Sequence, residues 1–233
     1  GQYDIHRSFR PEGGFMPWAW GYANKGNHAV NRVWRSLFLG GRGIMGFHTR
    51  SMLNADGSHS RGMVDTMPAI IRISDGVGKH LVNNLRQSHE VAILYSQSSI
   101  RAAFIENRKD EHTQLRLKYI ALMKNMGIGF DFVSGEQLAG GVLGKRGYKA
   151  LVLPDSVALS DSEIEAVKTF AASGGTVIAE GVPATRTANC RPRGKSALES
   201  VHLCDFPVYD ASMVDERLEK GMDTVLDVVK LGR

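Results

Sequence analysis

The chain has 233 residues, enough for one large domain or for about one and a half ordinary ones, and its 42% hydrophobic and 23% charged residues exclude disorder as the main state. No apolar run approaches the ~18 residues that a membrane-spanning helix needs, so we expect no membrane partner. The net charge of +5 would suit nucleic acid, but Lys and Arg are scattered among Asp and Glu, so we expect no nucleic-acid partner.

The first ninety residues predict helices around one strand. Residues 27–39 are predicted to form a helix, and a strand at 43–49 follows it. A polar loop then leads to one long helix across 67–85, with Pro68 near its first turn. A single strand cannot close a sheet, so we expect this segment to pack against other protein. The helix at 27–39 carries its apolar residues on one stripe: Val30, Val33, Trp34, Leu37 and Phe38.

From residue 91 onward, buried strands alternate with amphipathic helices. This order predicts a parallel sheet covered on both faces, because parallel strands need helical crossovers. Ser160 and Glu163 form a capping box at the start of one helix. The fold class is therefore α/β, a flavodoxin-like or class I amidotransferase-like three-layer domain. The predicted strands are 91–95, 130–133, 148–153 and 176–179, the predicted helices are 111–126 and 161–173, and 201–206 and 215–229 could add a last strand and helix.

The segment between the fourth strand and the possible fifth is rich in Arg, Pro and Gly, and its basic cluster predicts a solvated loop rather than a phosphate site. Cys190 and Cys204 are too few for a disulfide scaffold or a four-cysteine zinc site, and we expect two free thiols that are not bonded to each other. His59 and His80 lack partners at metal-ligand spacing, so no metal and no cofactor are expected. The basic cluster consists of Arg186, Arg191, Arg193 and Lys195.

The order of these elements resembles a known family. Residues 33–47, followed by Arg50, are similar to the end of the (β/α)8 barrel in β-galactosidases of glycoside hydrolase family 42. Residues 91–96 and 148–154, running into 160–176, look like the amidotransferase-like trimerisation domain that follows the barrel in that family. The resemblance implies a barrel remnant and a trimerisation-like domain, a carbohydrate substrate of the parent glycosidase, and a homo-oligomer. The implied domains are 1–87 and 88–233.

The resemblance also implies site residues. Family members carry their acid/base carboxyl on the fourth barrel strand and their nucleophile on the seventh, shortly before a Trp. Glu12 precedes Trp18 and Trp20 and so takes the nucleophile position, although the residues just before it make a poor buried strand and a solvated loop Glu is the alternative. Trp18 and Trp20 would stack on sugar rings or else pack in a core. His48 and Arg50 end the predicted strand 43–49, where barrel enzymes place substrate-binding groups. A lone satisfied histidine is the preferred alternative for His48.

Two other functions of an α/β domain fit the sequence less well. A free-standing amidotransferase-like enzyme would need a Cys on a sharp strand-to-helix turn, and neither Cys lies in such a sequence. A flavin-binding protein would need a loop that cradles phosphate after the first strand, where this chain has Ser96, Ser98 and Ser99. The alternative to an enzyme is a non-catalytic module for assembly or binding, which is our expectation for residues 88–233 themselves.

The chain begins at Gly1 without Met and without a signal-peptide pattern, as is typical after removal of a tag. We therefore expect a piece of a longer protein. The compartment cannot be deduced from such a start, and the cytoplasm is the default expectation.

Overall fold

The computed structural model describes residues 2–9, 18–20, 28–38, 41, 45–47, 53–83 and 89–205. The chain divides into two compact units, Gly1–Gln87 and Ser88–Arg233. Within the described ranges, no helix is both long enough and apolar enough to cross a membrane.

The described part of the first unit contains two short parallel strands with a helix between them in the chain. Trp18 pairs with Met45 and Trp20 pairs with Phe47. Strand, helix and parallel strand is the unit from which a (β/α)8 barrel is built, and the strand predicted at 43–49 is present. Its elements are α1 (Gln2–Phe9), β1 (Trp18–Trp20), α2 (His28–Phe38), β2 (Met45–Phe47), α3 (Arg61–Asp75) and α4 (Val77–Asn83).

The single long helix predicted for 67–85 is wrong. α3 begins earlier, at Arg61, where the Ser60 hydroxyl accepts a hydrogen bond from the Met63 amide at 3.4 Å. Pro68 consequently lies inside α3 instead of in its first turn. The helical path ends at Gly76, where a Cβ would lie 2.9 Å from the Arg72 carbonyl oxygen, and α4 starts after it. Apolar spacing continues through this break, which is why the spacing did not predict it.

The second unit contains a parallel five-stranded sheet in the order β4-β3-β5-β6-β7. All four strand pairs are parallel, so the predicted parallel sheet is confirmed. Val91 in β3 pairs with Phe130 on one side and with Ala150 on the other. The strands are β3 (Val91–Tyr95), β4 (Phe130–Ser134), β5 (Ala150–Leu153), β6 (Thr176–Ala179) and β7 (Leu203–Asp205).

Helices cover both faces of this sheet and complete the predicted three layers. On one face, Leu94 and Leu151 share a buried cluster with Leu138 and Ile164, which lie on helices. On the other face, the guanidinium of Arg116 lies 5.1 Å from the centre of the Tyr95 ring. The helices are α5 (Gln97–Ile105), α6 (Lys109–Asn125), α7 (Gly135–Ala139), α8 (Val142–Lys145) and α9 (Asp161–Ala172).

Helix α5 was not predicted from the sequence, because its serines are typical of the end of a strand. Ser96 instead caps the helix and accepts a hydrogen bond from the Ser99 amide at 3.1 Å. Ala102 and Ala103 are buried on the same side of the helix as Ser98 and Ser99. Ser is a weak helix former but a good N-cap, so burial of the alanines is what stabilises α5.

The predicted capping box of α9 is confirmed and also joins two helices. The Glu163 carboxylate accepts from the Ser160 amide at 2.6 Å, and the Ser160 hydroxyl accepts from the Glu163 amide at 3.2 Å. Glu163 is buried against the start of α7, where a Cβ on Gly135 would overlap its carboxylate and lie 2.8 Å from its Cδ. The absence of a side chain at Gly135 therefore lets the cap form.

Replacing Gly135 by Ala should lower the free energy of unfolding by about 1–3 kcal/mol, because the new methyl group displaces the Glu163 carboxylate from the cap. Gly144→Ala in α8 is the matched control, since a Cβ there meets nothing within 4 Å. The control should be neutral or stabilising by up to ~1 kcal/mol. Urea unfolding of both variants measures the difference, and equal midpoints would contradict the close approach.

Candidate functional site

The site residues predicted from the family resemblance lie mostly outside the described part of the chain. Glu12, His48 and Arg50 all do. Trp18 and Trp20 have their backbone in β1, opposite Met45 and Phe47. Across the described residues, no three His, Cys, Asp or Glu side chains are grouped so that they could hold a metal ion. The site that can be built in detail is the carboxyl edge of the sheet in the second unit.

The winding of this sheet reverses between β3 and β5, since β4 follows β3 on one side and β5 lies on the other. In open α/β sheets, ligands bind at the carboxyl ends of the strands beside such a reversal. Here the chain itself occupies the position. The hydroxyls of Ser96 and Ser99 donate to the Ala158 carbonyl at 3.1 and 3.0 Å, and the Ala158 amide donates back to Ser99 Oγ at 3.0 Å.

All three residues at the reversal are buried. Because Ser96 and Ser99 are already committed to Ala158, their hydroxyls are not available to cradle a phosphate group. Two of the three serines considered for flavin binding, Ser96 and Ser99, therefore have a structural role.

The turn after β5 contains a non-glycine residue with positive φ. Asp155 has φ +42°, in the left-handed region that costs a non-glycine residue roughly 1–2 kcal/mol. Its carboxylate accepts from Arg108 Nη1 at 3.3 Å and lies 3.1 Å from His112 Nδ1. In some α/β enzymes the nucleophile lies at such a turn. Here the Asp155 carboxylate is instead engaged by Arg108 and His112.

The same network extends to the end of α5. Arg108 Nε and Nη2 both donate to Glu106 Oε2, at 3.0 and 2.9 Å. Arg186 pairs with the other oxygen of Glu106, and its Nη1 donates to the Cys190 carbonyl at 3.2 Å. The hydrogen bond from Arg108 to Glu106 raises the pKa of Arg108 above its ordinary value. The network ties the turn between α5 and α6 to the loop that follows β6.

The basic loop predicted to be solvated has Arg191 and Lys195 exposed, while Arg186 and Arg193 tie it to the rest of the unit. Besides Arg186, Arg193 Nη2 donates to Asp161 at 2.6 Å and to the Leu159 carbonyl at 3.2 Å. Lys195 pairs with Glu199 at 3.2 Å. Three of the four basic side chains are therefore neutralised by carboxylates, which weakens any phosphate site there.

Neither cysteine lies at a strand-to-helix turn. Cys190 is a free thiol in this loop at φ +62°, and its Sγ lies 3.7 Å from the Ser98 carbonyl oxygen. Cys204 lies within β7, with its Cα opposite that of Ile178. The expectation that the two cysteines are not bonded to each other is confirmed.

A half-buried acid next to this edge, Glu180 after β6, faces the buried phenol of Tyr119 on α6. Burial raises the pKa of the Glu180 carboxyl, and burial together with the facing Glu180 carboxylate raises the pKa of the Tyr119 phenol. The folded protein thus holds the Glu180 proton more tightly than the unfolded chain does. Between its ordinary pKa of 4.5 and the raised value, this carboxyl favours folding less as the pH rises.

A groove of about 530 Å³ lies at the opposite, amino edge of the sheet, beside the start of β6. Small and apolar residues supply most of its lining, and its Lys168 is paired with Glu165 at 2.9 Å. Ligands of this fold class bind at the other edge. Within the described residues of the second unit, the polar groups that converge at the carboxyl edge therefore position loops and leave no activated nucleophile.

A comparison with protein families matches residues 89–191 to the family described as the β-galactosidase trimerisation domain. This range contains the strands from β3 to β6, the capped helices α5, α7 and α9, and the ion network.

Solved structures of related architecture cover more of the chain. An exo-carrageenase of family GH42 from Bacteroides ovatus is 17% identical, covers 99% of this chain and 32% of its own, and superposes with a TM-score of 0.69. A β-galactosidase from Bacillus circulans sp. alkalophilus is 18% identical, with coverage of 85% and 32% and a TM-score of 0.62. The chain thus spans about a third of the length of these enzymes.

Curated relatives match a short stretch only. The isoleucine–tRNA ligases of Clostridium tetani and Clostridium novyi are 51% and 59% identical over 39 residues, which is 17% of this chain. The chain spans 4% of the length of these ligases.

The turn at Asp155 can be tested with two substitutions that remove the same carboxylate. Asp155→Gly relieves the positive φ, whereas Asp155→Ala imposes it on a residue with a Cβ, at roughly 1–2 kcal/mol. The greater freedom of Gly in the unfolded chain offsets roughly 0.4–1 kcal/mol of that. Urea unfolding should show both variants below the wild type, with Ala about 1 kcal/mol below Gly. A Gly variant no more stable than the Ala variant would contradict the strain.

Proposed function

We propose that the chain is part of a β-galactosidase-like glycoside hydrolase of the family 42 type and that its second unit joins copies of the chain into a trimer. The match of residues 89–191 to the β-galactosidase trimerisation domain supports this proposal. The observation that carries this proposal is the closed reversal between β3 and β5. Ser99 fills the place where a related fold would hold a ligand, so the unit contributes surface and rigidity rather than chemistry.

The first unit, in this proposal, supplies one side of a carbohydrate site. Retaining glycosidases use two carboxyl groups about 5 Å apart, one as nucleophile and the other as acid and then base. Glu12 is the candidate nucleophile. Trp18 and Trp20 would stack their apolar faces on sugar rings, and His48 and Arg50 would contact sugar hydroxyls from the end of the neighbouring strand.

The sugar is proposed only as a class. The names of the two similar structures give a carrageenase and a β-galactosidase, so the architecture is compatible with more than one glycoside. Aminoacylation of tRNA is not proposed, because the stretch shared with the ligases amounts to 4% of their length.

The assembly proposal is tested by sedimentation velocity of the purified chain over a hundredfold range of concentration. We expect a species of three times the 25.5 kDa chain mass at the upper concentrations, because a trimer forms by mass action. A chain that stays monomeric at every concentration would overturn the proposal.

The chain by itself should not hydrolyse nitrophenyl β-galactoside. A complete (β/α)8 barrel takes roughly 200 residues or more, whereas the first unit has 87. Without the second carboxyl group the leaving oxygen receives no proton, and general acid catalysis alone contributes roughly 10²- to 10⁴-fold. Turnover by the chain that disappears in Glu12→Gln would show that the site is more complete than proposed. Glu90→Gln, far along the sequence in the second unit, is the control substitution.

A further inference from the structure

Two large apolar side chains are exposed side by side at the end of α5. Phe104 is 70% exposed and Ile105 is 68% exposed, while the preceding Ala102 and Ala103 are buried. Burying large apolar side chains such as these favours association. Within the chain these two side chains are not covered. We call Phe104 and Ile105 the α5 patch.

The α5 patch is presented on a rigid support. Glu106, the next residue, caps α5 and is held by the guanidinium groups of Arg108 and Arg186. Arg108 is held in turn by Asp155 at 3.3 Å. Because the residue after the patch is fixed by these ion pairs, little conformational entropy would be lost when the patch is covered.

Polar residues surround the patch in the manner of an interface rim. Arg101 is exposed and lies three and four residues before Phe104 and Ile105, on the same side of the helix. Asn107 and Lys109, which follow the patch in the sequence, are also exposed. An apolar centre inside a polar rim is the usual anatomy of a protein–protein contact.

We propose that the α5 patch is the apolar centre of the contact with a second copy of this chain in the trimer. The inference rests on the proposed function and assigns its contact surface. Helix α5 lies inside the matched range 89–191, so the patch belongs to the part of the chain whose family is described by its assembly. A second copy is therefore the occupant that accounts for an exposed Phe and Ile on this helix.

In a cyclic trimer the α5 patch would contact a different surface on the neighbouring copy. In a cyclic trimer each copy applies one surface to a different surface of the next copy. A stable contact buries roughly 800 Å² on each partner, which is more than two side chains supply. Phe104 and Ile105 therefore act as the central anchors, and the polar rim supplies the remaining area.

The test is the double variant Phe104→Glu, Ile105→Glu, studied by sedimentation velocity beside the wild type. Central anchors contribute enough that we expect association to weaken at least about 30-fold, with monomer dominating where the wild type is trimeric. Val182→Glu is the matched control, since Val182 is 61% exposed on the same unit but outside α5. The control should remain a trimer.

Circular dichroism and thermal unfolding of the variant show whether it folds. Both replaced side chains are exposed, so secondary structure and unfolding temperature should match those of the wild type, and a variant that unfolds would overturn the assignment of the patch to an interface. A trimeric wild type with a trimeric double variant, or with a control that also dissociates, would overturn the patch while leaving the trimer proposal standing. A monomeric wild type would overturn both.

Discussion

The hydrogen bonds between Ser99 and the backbone of Ala158 are the interaction on which the second unit depends. Buried amide and carbonyl groups need partners. Ala158 forms a parallel β-bridge with Arg186, in which the flanking Val157 and Leu159 make the backbone hydrogen bonds, so the amide and carbonyl of Ala158 itself face the other way. The Ser99 hydroxyl satisfies both groups, at 3.0 Å each, across 59 residues of sequence. This contact fixes the start of α5 to the loop after β5 and fills the position where doubly wound sheets usually bind ligands.

The charged groups next to the Ser99–Ala158 contact are positioned by the same loop. With the loop after β5 held in place, Asp155 takes a left-handed turn that directs its carboxylate to Arg108 and His112. Arg108 also holds Glu106, at the end of α5. The carboxylates at this edge of the sheet are thus paired with basic side chains, and these ion pairs fix the end of α5. The exposed Phe104 and Ile105 lie on that helix end.

Much of the fold was predictable because its signals are local. β3 and β5 are short apolar runs bounded by polar residues, and all of their residues except Tyr95 are buried. The capping box of Ser160 and Glu163 is visible in four consecutive residues. Helix α5 and the break at Gly76 were not predictable in this way, because a serine-rich start and continuous apolar spacing favour other structures, and only packing against neighbouring elements selects between them.

The sequence by itself determined the class of the second unit, a parallel α/β sheet covered by helices, and through its resemblance to family 42 it also indicated the family. Periodicity and helix caps depend on residues a few positions apart, so they can be recognised in a single sequence. Only the tertiary structure decided what the polar residues do, since Ser99 contacts Ala158, Arg108 contacts Asp155 and Arg186 contacts Glu106 at sequence separations of 47 to 80. It also decided which apolar residues remain uncovered, because burial of a side chain depends on the elements that pack around it and not on its neighbours in sequence.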